Sequence, residues 1–132
     1  MTELIDRLEC AWAAGFFDGE GYVAFGLNQN GNGKGTRYRR ISVQVTQIDP
    51  RVLERFKDAV GIGSVGGPYE AKGRPHSMWK YHTAGFPAVK QVFDRMRPFL
   101  SPIKSAQFAK ALEDYEKSPV ATLQVLSETQ AS

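Results

Sequence analysis

Asp18 and Glu20 stand two residues apart at the C-terminal end of a segment, Thr2 to Gly19, that reads as a helix. That is the negative end of the helix macrodipole, where a carboxylate is disfavoured. Two acids at the wrong end of a helix point to a cation. Just before them, Gly15 and Gly19 lie four residues apart, with Ala11 and Trp12 a turn earlier. Glycine in a helix interior costs about 1 kcal/mol against alanine, so two of them call for a packing reason. A stripe of small residues lets two helix backbones approach closely. If two copies met there about a twofold axis, their carboxylates would converge, and the repulsion would strengthen the need for metal. Mg²⁺ prefers oxygen ligands and binds through one or two carboxylates plus phosphate and water. Paired metals stabilise the attacking and leaving oxygens of a phosphodiester displacement. The plainer alternative is a helix-to-strand turn in which Gly19 and Gly21 serve only a positive φ. Asp18 stands open between a structural hydrogen bond and a metal contact.

The surrounding elements follow from periodicity. In the first helix, Leu4, Leu8, Ala11, Trp12, Gly15 and Gly19 recur at three- and four-residue steps. Tyr22 to Asn28 and Arg37 to Gln47 read as two strands around a QNGNGKG loop. In the second strand Ile41, Val43 and Val45 make an apolar face, and Arg40, Ser42, Gln44 and Thr46 a polar one. Asp49-Pro50 starts a helix that stops at Gly61, with Val52, Leu53, Phe56 and Val60 inside. Ser64 to Glu70 and Ser77 to Thr83 form a second hairpin. Two helices follow, Pro87 to Leu100 (Val89, Val92, Phe93, Met96 inside) and Ile103 to Lys117 (Phe108, Leu112, Tyr115 inside). The order α-β-β-α-β-β-α-α predicts an α+β domain over residues 1–118, with helices packed on one face of an antiparallel sheet and a surface tail at 119–132.

Charge is unevenly spread although the net value is only +3. From Gly21 to Ile48 there is no acid, against Lys34, Arg37, Arg39 and Arg40; from Ala59 to Val92 the only acid is Glu70, against Lys72, Arg74, Lys80 and Lys90. Basic strands beside mixed-charge helices are the footprint of a nucleic-acid surface, although acids are disfavoured in strands in any case. No apolar run is long enough to span a bilayer, and the acidic start (Glu3, Asp6, Glu9) is unlike a signal peptide. One cysteine, Cys10, permits no internal disulfide, so a soluble intracellular protein is expected. Cys10, His76 and His82 match no zinc spacing. The Gly31–Thr36 loop is not a phosphate-binding P-loop, because Gly35 separates Lys34 from Thr36 and no helix follows.

Ala13-Ala14-Gly15-Phe16-Phe17-Asp18-Gly19-Glu20-Gly21 resembles the LAGLIDADG motif of homing endonucleases in its aromatic form. Ala13 stands where Leu is usual, Phe16-Phe17 where Leu-Ile is, and Glu20 where Asp is commoner. Further on, Val43-Gln44-Val45-Thr46-Gln47 and Arg97-Pro98-Phe99-Leu100 with Lys104 and Gln107 are similar to segments of single-motif members, so the likeness spans about Leu8 to Tyr115. It implies a homodimer joined through Ala11, Trp12, Gly15 and Gly19. It also implies catalytic Mg²⁺, with Mn²⁺ as a substitute, at Glu20 and the adjoining Gly19. Gln47 would position water, Arg51 would line the site, and Lys104 would be the active-site lysine. No organic cofactor and no small-molecule substrate are implied.

The same resemblance lays the polar sheet face along the major groove of double-stranded DNA. Asn28, Asn30, Asn32, Lys34, Tyr38, Arg40, Ser42, Gln44, Ser64, Arg74, Lys80 and His82 are then the expected contacts. Arg40 suits guanine, and Gln44 or an asparagine suits adenine; Arg37, Arg39, Lys34 and Lys72 suit phosphate or solvent. A strand of about nine residues spans roughly 30 Å, the length of about nine base pairs at ~3.4 Å each. Two subunits would cover close to two turns of a pseudo-palindrome, and the family precedent is cleavage of both strands. The competing functions are an intron RNA maturase, a non-catalytic DNA-binding regulator on the same fold, and an unrelated α+β enzyme or structural dimer. Metal-dependent cutting separates the first two from a nuclease, and salt-dependent duplex binding separates the third.

Overall fold

The computed structural model describes residues 1–29, 37–70 and 72–118, with backbone alone at Asn28, Gln29, Arg37 and Tyr38. The expected tail, 119–132, lies outside the described residues. The elements run α1 (Thr2–Glu20), β1 (Gly21–Gln29), β2 (Arg37–Gln47), α2 (Pro50–Val60), β3 (Ser64–Tyr69), β4 (Met78–Ala84), α3 (Phe86–Met96), a single 3₁₀ turn (Arg97–Phe99) and α4 (Pro102–Lys117). The strands form one antiparallel sheet in the order β1-β2-β4-β3. Two hairpins therefore meet along β2 and β4. All four helices lie on one face, as an α+β domain requires when the other sheet face is polar.

Alternation decides which face each strand buries. Ile41, Val43 and Val45 are fully enclosed beneath the helices, as is Tyr81 opposite Val45. From the helices come Phe17, Leu53, Phe56, Val60, Val89, Val92, Met96 and Phe108. Phe17 lies between Phe56 and Phe108, with ring centroids at 6.1 and 5.2 Å, and Phe93 stacks on Phe108 at 5.0 Å. In α2 the buried set is Leu53, Phe56, Ala59 and Val60; the expected Val52 is only half-buried, and Ala59 takes its place under Cys10 and Arg95. Tyr115 is also only partly enclosed. Burial pushes the Tyr81 phenol up, and its hydroxyl donates to the Ile62 carbonyl at 2.8 Å.

The boundaries have local causes. Asp49 caps α2 by accepting from Arg51 N at 2.9 Å, with Pro50 in the first turn, and Gly61 closes that helix at φ 79°. Ser101 caps α4 by accepting from Lys104 N. The acidic start of α1 is tied down by arginines: Glu9 to Arg55 of α2, which holds the carboxyl below the usual range, and Asp6 to Arg95 of α3. One expectation is corrected. Arg39 is not left free for phosphate: partly buried, its guanidinium lies 3.7 Å from the Tyr115 ring centre and donates to the Tyr115 carbonyl. It shares the parity of Ile41 and Val43, so the helix side of the sheet claims it.

Candidate active site and nucleic-acid interface

The C-terminus of α1 runs straight into β1, and Gly21 makes the junction. Its φ is −99°, so no left-handed conformation is involved. The reason for glycine is space, since a Cβ there would sit 2.2 Å from the Phe17 ring. Gly19 is helical with open space around it, so the turn explanation fails for both glycines. Gly21 pairs with Val45 in the β1–β2 ladder, and Gln47 ends β2 two residues further on. The tip of α1 and the end of β2 thus lie at one end of the sheet.

Two residues apart in a helix are roughly 200° apart around its axis, so Asp18 and Glu20 face opposite ways. Asp18 turns inward: both carboxylate oxygens accept from the Ser101 backbone N–H at 3.2 Å. Ser101 in turn caps α4, whose first turn carries Lys104. The Lys104 ammonium reaches back over the Phe17 ring, 5.6 Å from its centre, and donates to the Gly21 carbonyl at 2.7 Å. Asp18 is thereby a structural tie that seats α4, and Lys104 arrives one residue from Glu20. The Glu20 side chain is exposed and takes no hydrogen bond or ion pair among the described residues.

The remaining expected residues divide. Gln47 lies on the helix side of β2, paired with Trp79, and its Oε1 accepts from Ile48 N at 3.2 Å. Arg51 grips Asp49 with two bonds, at 3.1 and 2.9 Å, and stays largely exposed. No three His, Cys, Asp or Glu side chains converge among the described residues. A free, exposed carboxylate is an oxygen donor of the kind Mg²⁺ takes, and one protomer offers a single such carboxylate at the helix tip.

The outer face of α1 is unusual. Leu4, Ile5 and Leu8 are each more than half exposed, Gly15 and Gly19 are exposed, and a Cβ at either glycine would meet nothing within 4 Å. Ala11 lies between them, half-covered. Trp12 departs from the expected stripe: its ring stacks on Phe16 at 5.3 Å and Arg55 lies over it at 3.9 Å, so the α1–α2 seam holds it.

On the open face of the sheet, cross-strand pairing assembles rows. Tyr22, Gln44, His82 and Ser64 make one; Thr46, Lys80 and Gly66 make the next; Ala24, Ser42 and Ala84 make a low floor; Gly26 faces Arg40. Arg40, Gln44, Lys80, His82 and Ser64 thus share the face as expected. Ser42 does too, but at 5% exposure it lies in the floor rather than reaching out. Arg74 is exposed near the turn of the second hairpin, beside Glu70 and His76. Asn28 and Tyr38 pair in the register; their side chains, and Asn30, Asn32 and Lys34, lie outside the described residues. Tyr22 was missed by the sequence reading. Its parity with Ala24 would have placed it on this face, where its hydroxyl donates to Gln44 Oε1 at 2.8 Å. His82 titrates below the usual imidazole value, first through burial and then through the charges of Arg40 and Lys80.

No family model matches the chain, and no curated protein does. Solved structures do. The homing endonuclease I-CvuI, crystallised with the I-CreI target uncleaved in 2 mM Mg, superimposes with TM-score 0.71 at 24% identity over 86% of this chain and 69% of its own. The archaeal intron-encoded homing endonuclease I-Vdi141I, complexed with DNA, gives 0.64 at 21% over 83% and 67%. The LAGLIDADG homing endonuclease I-GzeII, in complex with its DNA target, gives 0.63 at 19% over 90% of this chain but 41% of its own. The chain has the fold of the LAGLIDADG homing endonucleases.

Proposed function

We propose that this chain is a single-motif LAGLIDADG homing endonuclease that acts as a homodimer on a long pseudo-palindromic duplex. Residues 1–118 make the endonuclease unit. The observation that carries the reading is the tip of α1, where an exposed carboxylate, Glu20, is flanked by an exposed apolar stripe and by a lysine fixed on the next residue's carbonyl. Neither part serves the protomer. Open space around Gly15 and Gly19 leaves room for a second helix backbone, and a twofold axis there brings two Glu20 carboxylates together. The chain spans 41% of the length of I-GzeII, a longer chain with the same fold.

The chemistry that a divalent magnesium ion would supply here is withdrawal of charge from the scissile phosphate and a lower pKa for an attacking water. Glu20, with the Gly19 backbone beside it, would hold that ion. Lys104, held on the Gly21 carbonyl, would contribute positive charge where phosphate negative charge develops. Gln47, at the strand end beside the helix tip, is the hydrogen-bonding group suited to orient water. Arg51, now paired with Asp49, is long and exposed enough to swing to a phosphate. The polar sheet face would lie in the major groove, with Arg40, Gln44, Lys80, His82, Ser64 and Arg74 toward DNA. No helix among the described residues is long and apolar enough to cross a membrane.

The test is a cleavage selection. The protein and its Glu20→Gln variant are incubated with a randomised duplex library, with Mg²⁺ or with chelator, and the ends are sequenced. Staggered cuts at one near-palindromic site, dependent on Mg²⁺ and Glu20, are the expected result. Enrichment by binding without cutting would establish a regulator instead. Neither would direct the search to structured RNA, as the maturase reading requires.

A further inference from the structure

We infer that Tyr22 is a positioning residue that locks the Gln44 side-chain amide with its nitrogen outward, and so makes Gln44 select guanine rather than adenine. This inference rests on the proposed reading that the open sheet face meets the major groove.

Tyr22 and Gln44 are direct cross-strand partners at the start of the β1–β2 ladder. Opposed side chains on one face have Cβ atoms about 5 Å apart, and here the phenol and amide meet in a 2.8 Å bond with the hydroxyl donating to Oε1. No other hydrogen bond joins two side chains from different strands of this sheet among the described residues. A glutamine amide is planar and carries one acceptor oxygen and two N–H donors. With Oε1 turned toward β1 and held, the NH₂ group points away from Tyr22, and among the described residues it has no partner. The tyrosine ring is about half exposed, so the pair stands at the surface that would meet bases.

The direction of the amide decides which base it suits. A free glutamine pairs with adenine in two bonds, its oxygen accepting from N6 and its nitrogen donating to N7. That arrangement needs Oε1 aimed at the base. With Oε1 turned toward β1 and one of its lone pairs taken by Tyr22, the amide presents its two N–H groups on the outward side. Guanine presents two acceptors, O6 and N7, in the major groove; adenine presents one acceptor beside a donor, and cytosine a donor alone. The outward N–H pair therefore matches guanine best and opposes cytosine most. His82 and Ser64 continue the row away from Tyr22, and neither hydrogen-bonds to Gln44 to favour the opposite orientation.

The test is a binding selection on a randomised duplex with wild type, Tyr22→Phe and Gln44→Ala. Gln44→Ala identifies the position read, as the one base pair per half-site whose preference flattens. At that position wild type is expected to favour guanine by about tenfold, the scale of one two-bond contact. Tyr22→Phe keeps the ring and frees Oε1, and is expected to move the preference to adenine there while the other positions stay unchanged. An adenine preference in wild type, a Tyr22→Phe profile that superimposes on wild type, or a Gln44→Ala profile with no flattened position would each overturn the inference alone. If none of the three proteins enriches any duplex, the DNA-binding reading itself fails, and this inference with it.

Discussion

The tip of α1 and the open face of the sheet are built on opposite plans. At the helix tip a few groups are each fixed by a named bond: Asp18 on Ser101, Ser101 on the first turn of α4, Lys104 on the Gly21 carbonyl. Glu20 has no such partner among the described residues. On the sheet, side chains from four strands share a surface with one mutual hydrogen bond, Tyr22 to Gln44, among those the structure describes. Bond-making chemistry needs atoms held to fractions of an ångström, whereas recognition sums many small contacts and tolerates looser ones. The two regions should therefore respond to mutation on different scales. Glu20→Gln is the largest expected effect: cleavage falls by about a thousandfold or more, while affinity for the selected site, by gel shift, is retained. Loss of both together would make Glu20 structural and erase the contrast.

The outer face of α1 tests whether the tip is completed by a second copy. Within one protomer, a Cβ at Gly15 meets nothing within 4 Å, and Gly15→Leu replaces a poor helix former with a good one, so the isolated chain should gain up to about 1 kcal/mol of stability. Across a helix pair the same side chain intrudes twice, at roughly 1–3 kcal/mol each time. The expected signature is a raised or unchanged melting temperature with loss of dimer in sedimentation. A dimeric Gly15→Leu protein would mean that the two α1 helices do not meet there. Next in size is Lys104→Met, expected to lower the cleavage rate about a hundredfold with unchanged site preference. An equal fall in affinity would move Lys104 from the helix-tip group to the recognition group.

Legibility in the sequence follows the same division. Period-2 alternation in Arg37–Gln47 gave both faces of β2, and the Asp49-Pro50 start and Gly61 stop of α2 were visible as capping chemistry. What alternation could not reveal is competition for a side chain across the fold. Arg39 reads as a phosphate contact until α4 brings Tyr115 beneath it, and Trp12 reads as interface until Arg55 covers its ring. Asp18 was ambiguous because its partner is the backbone of Ser101, far along the chain, and a main-chain donor leaves no mark in residue type. For Gly21 the alternative of a positive φ fails for a reason residue type does not display. Its need for glycine comes from the Phe17 ring rather than from its own dihedrals, and only packing shows that.

On the sheet face the expected steps are smaller. Arg40→Ala should cost about 1–3 kcal/mol of discrimination at a single base pair and leave the cleavage rate on the best site intact. Smallest is the pH term from His82. The groups around it are Arg40 and Gln44 on β2, Ser64 on β3 and Lys80 on β4, with Tyr22 beyond Gln44. Burial, then the charges of Arg40 and Lys80, hold the imidazole below its usual value of about 6.5. The unfolded chain therefore takes the proton more readily, so stability contributed here is present above that value and is lost as pH falls toward the folded one. Bound phosphates would reverse the local field, since they offset the two cations and favour the imidazolium. Binding then takes up part of a proton per subunit, and affinity should rise a few-fold as pH is lowered from about 8 to 6. Folding and binding thus move in opposite directions over one pH window. His82→Gln should flatten the binding trend and remove the stability loss together. A wild-type affinity independent of pH, or one that falls in parallel with stability, would show that His82 does not sit near phosphate.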